Sequence, residues 1–269
     1  MTATPTPTAT EAVRPEDRRR QVIVTASMVF CLVGSLFGVG VIGTRVEELS
    51  GGALAPDATL LAPARPAFSI WSVIYLGLMA YTLWQWLPAQ ASDRRHRAIG
   101  RLAAGSMVLN ATWLLVTQES WIWVSVAVMA LLVVTLGRLV TVLTDIPSFG
   151  LAETVIVDGT FGIYLGWVAV AAFANVTAAL VASGVYPQGY AGPLTATVAL
   201  AIAAGVGVHL ARRLDGRWAV AGAMAWGLLW IAIARGSQFP ESTGVALAAI
   251  MAAVVVIGAT AQRRSALAA

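Results

Sequence analysis

Residues 154–182 read TVIVDGTFGIYLGWVAVAAFANVTAALVA, a stretch with a single charged side chain, Asp158. A helix of about 20 apolar residues crosses a hydrocarbon layer of about 30 Å, and this stretch is longer than that. Similar stretches recur along the chain. The eight predicted spans cover residues 21–43, 66–87, 98–117, 120–143, 154–182, 191–211, 217–235 and 243–261. The sequence therefore predicts an all-α membrane protein.

The composition supports this class and excludes some chemistry. The 269 residues are 58% hydrophobic and 11% charged, whereas soluble domains carry about 25% charged residues. The chain has no lysine, because all 17 basic residues are arginine. A retinal Schiff base and a pyridoxal phosphate enzyme both need a lysine and are excluded. The single cysteine, Cys31, excludes an intramolecular disulfide.

The arginines are distributed unequally between the two ends of the predicted helices. Fourteen lie on the side of the N-terminus, and three, Arg45, Arg65 and Arg235, lie on the other side. Because arginine-rich loops stay in the cytoplasm, we expect cytoplasmic N- and C-termini. The arginine- and alanine-rich composition is typical of a GC-rich bacterial genome, so we expect a multi-pass protein of the bacterial plasma (inner) membrane. The excess of positive charge then indicates affinity for the lipid bilayer, and we expect no nucleic-acid partner.

Two segments outside the spans are predicted to lack regular structure. Residues 1–20 are rich in Thr, Pro and Ala and then basic, which predicts a disordered cytoplasmic tail. The loop at 44–65 contains several glycines and prolines. A loop of this length over one end of a helix bundle often acts as a lid.

Three of the apolar stretches combine tryptophans with polar side chains. Residues 68–75 read FSIWSVIY, residues 109–113 read LNATW, and the fifth span carries Tyr164, Trp167 and Asn175 at helical spacing. An amide in hydrocarbon costs several kcal/mol unless it is hydrogen-bonded. Because these residues come to similar depths in three helices, we predict a polar-aromatic pocket in the outer half of the bundle. The alternative is interhelical amide hydrogen bonding without a ligand.

Other polar residues have simpler interpretations. A carboxylate inside a span, such as Asp158, is functional by default, but a structural ion pair with Arg138 is an equal alternative. We expect His96 to be solvated and His209 to lie at a membrane interface. The sequence shows no metal-ligand spacing, no nucleophile–base set and no phosphate-binding glycine loop. We therefore expect no catalytic residues, no metal site and no enzymatic activity.

At these residues the chain resembles the TspO/MBR family, also called tryptophan-rich sensory proteins or translocator proteins. The family's second helix reads W-x-x-L-Y with a further Trp eleven residues after the Tyr. The residues of this chain that resemble the pattern are Trp71, Ile74, Tyr75 and Trp86. Its third-helix pattern L-N-x-x-W is matched by Leu109, Asn110 and Trp113. Its fifth-helix pattern P-Y-L-x-W-V-x-F-A-x-x-L-N is matched by Tyr164, Leu165, Trp167, Val168, Ala171 and Asn175.

The resemblance implies a five-helix TspO-like domain over 21–183. The remaining apolar stretches predict an additional three-helix transmembrane region over 184–262, followed by a cytoplasmic tail over 263–269. The resemblance also implies a sensor or receptor that binds a flat hydrophobic ligand, either a porphyrin or haem-like tetrapyrrole or a sterol-like lipid, without a covalently bound cofactor. Many members of the family are homodimers. By the same resemblance, the ligand-binding residues are Trp71, Tyr75, Asn110, Trp113, Tyr164, Trp167 and Asn175.

The chain also departs from the family pattern. The loop motif K-P-x-W-x-P-P-x-W is reduced to APARPA at 62–67, without its tryptophans, and Ile163 replaces the proline before the fifth-helix tyrosine. The three extra helices have no counterpart in the five-helix core, so the chain resembles an extended, divergent member. The alternative function is a small-molecule transporter that uses the extra helices and Asp158.

Overall fold

The computed structural model describes residues 13–185 and 189–269. In this part of the chain, eight helices are long and apolar enough to cross a membrane. Their α-helical bounds are α1 Pro15–Gly38, α2 Ile70–Trp84, α3 Arg94–Gln118, α4 Ile122–Asp145, α5 Thr160–Ala182, α6 Ala191–Arg213, α7 Trp218–Ser237 and α8 Thr243–Ala268. The spans that contain α2 and α5 begin earlier, at Arg65 and Leu151, with turns of 3-10, α and π type. The prediction of an all-α protein with eight membrane-spanning helices is confirmed.

Helix α1 begins six residues before the start of the predicted span. Pro15 occupies its first turn, where a proline costs no backbone hydrogen bond. The carboxylate of Asp17 accepts a hydrogen bond from the backbone N–H of Arg14 at 3.0 Å, which closes the helix end. Residues 15–20 are therefore helical, whereas the sequence predicted disorder there; residues 1–12 lie outside the described part of the chain.

The first five long helices form a closed ring. Each packs against two neighbours in the order α1, α2, α5, α4, α3 and back to α1. Apolar side chains fill the interior of the ring, and Leu78, Met107, Leu136 and Phe161 are completely buried there. The ring explains why the second, third and fifth spans place their polar-aromatic residues near one another.

The three C-terminal helices attach to the outside of this ring through α7. Helix α7 packs on α5, α8 packs on α7, and α6 packs mainly on α8. The α5–α7 contact is close because glycines line it. A Cβ atom built on Gly162 would lie 2.7 Å from the Cβ of Ala219, and one on Gly166 would collide with the carbonyl oxygen of Val220. Small residues let the two backbones approach in this way.

Two local features shape the ends of the ring. The 44–65 loop, which joins α1 to α2, folds into short 3-10 turns at Val46–Glu48 and Ser50–Gly52 and buries Leu61 and Ala64. Helix α5 is preceded by a π-helical turn, Thr154–Gly159. Such a turn is often found at functional sites because it changes the direction of one side chain relative to the helix.

Candidate functional site

A cavity lies beneath the 44–65 loop at one end of the helix ring. Its larger compartment has a volume of about 450 Å³, and a smaller one of about 70 Å³ adjoins it. Phe68, Trp71 and Trp113 line both compartments. Small-molecule sites commonly measure about 300–1,000 Å³, so the larger compartment has the size of a ligand site.

Trp71 lies at the centre of the aromatic wall of this cavity. Its ring stacks on Tyr75, with centroids 5.5 Å apart and an interplanar angle of 22°. The rings of Tyr164 and Trp167 meet Trp71 edge-on at 5.9 and 6.3 Å. Phe68 in turn meets Trp167 edge-on at 5.7 Å. All four distances lie in the favourable range of about 4.5–7 Å, so the wall is a packed aromatic cluster.

Two hydrogen-bond donors in the larger compartment lack acceptors. The Oδ1 of Asn110 accepts a long hydrogen bond of 3.5 Å from the hydroxyl of Tyr75. Within the described residues, the Nδ2 of Asn110 and the Nε1 of Trp113 have no hydrogen-bond partner, although both atoms are buried. A buried donor without an acceptor costs about 1–3 kcal/mol, so a ligand that carries acceptors would be stabilised here.

The structure brings together the residues that the family motifs predicted. Trp71 and Trp113 line both compartments, Tyr75 and Asn110 line the larger one, and Trp167 and Asn175 line the smaller one. Their role in ligand binding remains a prediction.

Two predicted residues are engaged with the protein itself. Tyr164 is completely buried behind Trp71, and its hydroxyl donates to the carbonyl of Ser106 at 3.2 Å. It supports the aromatic wall and does not line the cavity. The amide of Asn175 donates to the hydroxyl of Ser125 at 3.2 Å. For Asn175 the interhelical hydrogen bond, which was the alternative from the sequence, is therefore present.

The sequence analysis named neither Phe68 nor any loop residue as part of the site, although it predicted the 44–65 loop as a lid. Phe68 precedes Trp71 by three residues, and this helical spacing was a usable signal that both face the same way. Leu54 and Pro56 from the loop line both compartments. The length of the loop predicted a cover over the bundle, but no local pattern identifies which of its residues line the cavity.

Charged side chains stand at the mouth of the larger compartment. Arg65 and Glu47 form an ion pair of 3.2 Å, and Arg45 lies 3.9 Å from the same carboxylate. The side chains of Arg45 and Arg65 are 59% and 70% exposed. Exposed pairs of this kind contribute about 0–1 kcal/mol, so either guanidinium can turn toward an anionic ligand group at little cost.

Helix α7 holds the loop segment over the cavity through three hydrogen bonds. The backbone N–H of Ala64 donates to the carbonyl of Trp230 at 3.2 Å, and the indole of Trp226 donates to the carbonyl of Ala67 at 2.9 Å. The buried guanidinium of Arg235 donates to the carbonyl of Pro56 at 3.1 Å. The additional helices therefore contact the cover of the cavity directly.

The comparison with known protein families gives a match over most of the chain. A family model described as TSPO-like protein matches residues 21–261. The chain belongs to the TSPO-like family. This match reaches into α8, so it includes the additional helices as well as the five-helix ring. No curated protein and no solved structure matches the chain. The resemblance to the TspO/MBR family is thus confirmed, and the chain is a divergent, multi-pass membrane member.

Asp158 of this TSPO-like protein forms a structural ion-pair network. Its Oδ1 accepts hydrogen bonds from the guanidinium groups of Arg95 and Arg217, and Arg95 also lies 3.1 Å from the carboxylate of Glu153. The ion pair with Arg138, one of the two alternatives from the sequence, is wrong, because the partners of Asp158 are Arg95 and Arg217 and the side chain of Arg138 is exposed on α4. The π-helical turn places Asp158 between the start of α3 and the residue before α7, so the network joins the ring to the additional helices.

His96 is completely buried, so the expectation of a solvated His96 is wrong. Its ring stacks on Tyr81 at 5.8 Å, and its Nε2 lies 4.0 Å from the carboxylate of Glu153. With Asp93, these groups place three ligand-type atoms within 4.8 Å of one another, a cluster that the sequence spacing did not reveal. The guanidinium of Arg95 already supplies the positive charge beside Glu153, and we assign no metal there.

Proposed function

We propose that this TSPO-like protein is a membrane receptor or sensor for a flat hydrophobic ligand, a porphyrin or related tetrapyrrole or a sterol-like lipid. One observation carries the proposal. The aromatic wall and the donors of Asn110 and Trp113, which have no partner among the described residues, converge on one cavity of about 450 Å³. The ligand is held without a covalent bond, and the proposal includes no turnover.

Each part of the cavity matches one property of such a ligand. The accessible part of the half-buried Trp71 offers a flat surface on which a ring system can stack, an interaction worth about 0.5–1.5 kcal/mol beyond area burial. Asn110 and Trp113 can donate to acceptors on the ligand. Arg45 and Arg65 stand where carboxylate groups at the edge of a tetrapyrrole would leave the cavity. A flat body with peripheral acceptors satisfies all three features.

The ion pairs of Asp158 supply a structural role for the residue on which the transport alternative depended. The carboxylate of Asp158 accepts hydrogen bonds from the guanidinium groups of Arg95 and Arg217, which fix its position between the ring and the additional helices. We therefore do not propose transport.

The proposal is tested by quenching of intrinsic tryptophan fluorescence when the detergent-purified protein is titrated with protoporphyrin IX. Asn110→Ala removes a hydrogen-bond donor, and Trp113→Phe removes another while keeping an aromatic ring. We expect saturable quenching whose midpoint rises about fivefold to tenfold in each variant, as the loss of about one hydrogen bond predicts.

Trp218→Phe is the matched control, because Trp218 is half exposed on α7. The substitution removes one tryptophan fluorophore, as Trp113→Phe does, without touching the cavity. Its midpoint should equal that of the unmodified protein. Quenching that never saturates, or an unchanged midpoint in both cavity variants, would show nonspecific partitioning of the porphyrin and would refute the proposal.

A further inference from the structure

A second cavity lies at the other end of the bundle, between the first turns of α1 and α3. Its volume is about 570 Å³. We call it the arginine groove, because Arg14, Arg19, Arg20, Arg97 and Arg101 line it. Helix α1 runs from this groove to the 44–65 loop, so the groove and the ligand cavity lie at opposite ends of the molecule.

The floor of the arginine groove is a fixed arrangement of charged groups. The carboxylate of Asp17 accepts two hydrogen bonds from Arg97, at 2.8 and 2.7 Å, and one from Arg20 at 3.3 Å. Arg20 also donates to the carbonyl of Ala91 at 2.8 Å. Arg20 is thus held by hydrogen bonds to its own helix and to the segment between α2 and α3, so its positive charge stays in the groove.

Arg20 is the residue of this floor that points most directly to a ligand. Its side chain is only 8% exposed, and its Nε is buried without a hydrogen-bond partner among the described residues. Its stem lies across Gly100, where a Cβ atom would come within 2.5 Å of the Arg20 Cδ. The glycine thus makes room for a buried arginine that keeps an unused donor, and an unused buried donor indicates an absent acceptor.

The charge and the surroundings of the groove indicate the class of that acceptor. Among the described residues that line the groove, five are arginines and two, Glu16 and Asp17, are carboxylates, so the arginines exceed the carboxylates by three. Guanidinium groups present a planar fork of donors that suits the oxygens of a phosphate. Ile23 lines one edge of the groove and is 42% exposed, and the neighbouring Val22 is 58% exposed. The groove therefore opens where the apolar surface of α1 begins.

We propose that the arginine groove binds the phosphate of an anionic phospholipid. If the lipid phosphate is bound in the groove, the acyl chains can lie along the exposed apolar face of α1. A free phosphate ion would use the arginines but not this face, so the apolar edge favours the lipid. Basic pockets between transmembrane helices bind anionic headgroups in the same way.

The experiment counts lipids bound to the detergent-purified protein by native mass spectrometry. The protein is titrated with phosphatidylglycerol or with phosphatidylcholine that has the same acyl chains. The test variant is the double substitution Arg19→Gln/Arg101→Gln, whose exposed side chains lie on the rim of the groove and have no role in the core. The matched control is Arg212→Gln/Arg213→Gln, which removes two exposed arginines at the end of α6.

We expect the unmodified protein to bind phosphatidylglycerol at least tenfold more tightly than phosphatidylcholine. The test variant should lose about 25-fold in affinity, because each arginine near an anionic lipid contributes about fivefold. The control should change less than twofold. Gly100→Ala, which displaces the Arg20 stem, should also weaken phosphatidylglycerol binding, and a thermal unfolding curve checks that each variant is folded.

Three results would overturn the proposal. Equal affinity for the two lipids would show that the groove does not select an anionic headgroup. An equal loss in the control variant would show diffuse attraction by total charge. Displacement of phosphatidylglycerol by an equimolar amount of inorganic phosphate would assign the groove to the free ion.

Discussion

Replacement of Gly166 by alanine tests the close contact that attaches the additional helices to the ring. A Cβ atom at this position would collide with the carbonyl oxygen of Val220 and would lie 2.9 Å from the Cβ of Ala223. Carbon atoms in contact are normally about 3.5–4.0 Å apart, so α7 must move away by roughly 1 Å. Both obstacles belong to the backbone or to a methyl group, so no flexible side chain can yield.

The cost of this movement can be bounded from the packing. Overpacking of a well-filled contact costs about 1–3 kcal/mol, while the better helix propensity of alanine returns about 1 kcal/mol. The expected net destabilisation is about 0–2 kcal/mol relative to the unmodified protein, and about 1–3 kcal/mol relative to a glycine-to-alanine change without a collision. For a chain of this size each kcal/mol shifts the unfolding midpoint by roughly 2–4 °C, so the midpoint should fall by up to about 8 °C.

The assay is thermal unfolding in detergent micelles, followed by intrinsic fluorescence. Gly222→Ala is the matched control, because Gly222 lies on α7 and a Cβ atom there would have no neighbour within 4 Å. This variant gains helix propensity without a collision, and its midpoint should be unchanged or higher. A Gly166→Ala protein that unfolds at or above the temperature of the control would refute the steric reasoning.

Two further substitutions test other contacts of the additional helices. Arg235→Gln removes the guanidinium that donates a hydrogen bond to the carbonyl of Pro56 in the 44–65 loop, so trypsin should cleave this loop about tenfold faster. The control Arg212→Gln should leave the cleavage rate unchanged. Asp158→Asn leaves the buried guanidinium of Arg95 and the partly buried guanidinium of Arg217 without their shared carboxylate. It should destabilise the protein by about 3–5 kcal/mol. Asp215→Asn, whose ion pair is exposed, should cost less than about 1 kcal/mol; equal midpoints for the two Asp variants would contradict the assigned network.

The positions of the helices could be predicted from local sequence because the bilayer imposes a local rule. Every backbone N–H and C=O in hydrocarbon must be paired within its own segment, so an apolar stretch of sufficient length is a helix whatever its neighbours are. The predicted span 191–211 and the observed Ala191–Arg213 agree for this reason. Residues 15–20 were missed because polar residues at a helix end carry no hydropathy signal.

The aromatic cavity was predictable in part for a similar reason. The depth of Trp71, Asn110 and Trp167 follows from their positions along three helices, and helical spacing predicts which of them share a face. The length of the 44–65 loop predicted a cover over the bundle, but no such rule identifies the residues that form it. Loop residues such as Pro56 reach it through contacts with α7, which is about 180 residues further along the chain.

The sequence by itself determined the class of the protein and its eight helices, and it predicted several of the residues that line the cavity. Only the tertiary structure decided which helices touch: it paired Asp158 with Arg95 and Arg217 instead of Arg138 and buried His96. Hydropathy depends on each segment alone, whereas the choice of neighbours depends on the fit between helix surfaces, as the contact of Gly166 with α7 shows. That fit is a property of two distant segments together, and no local pattern contains it.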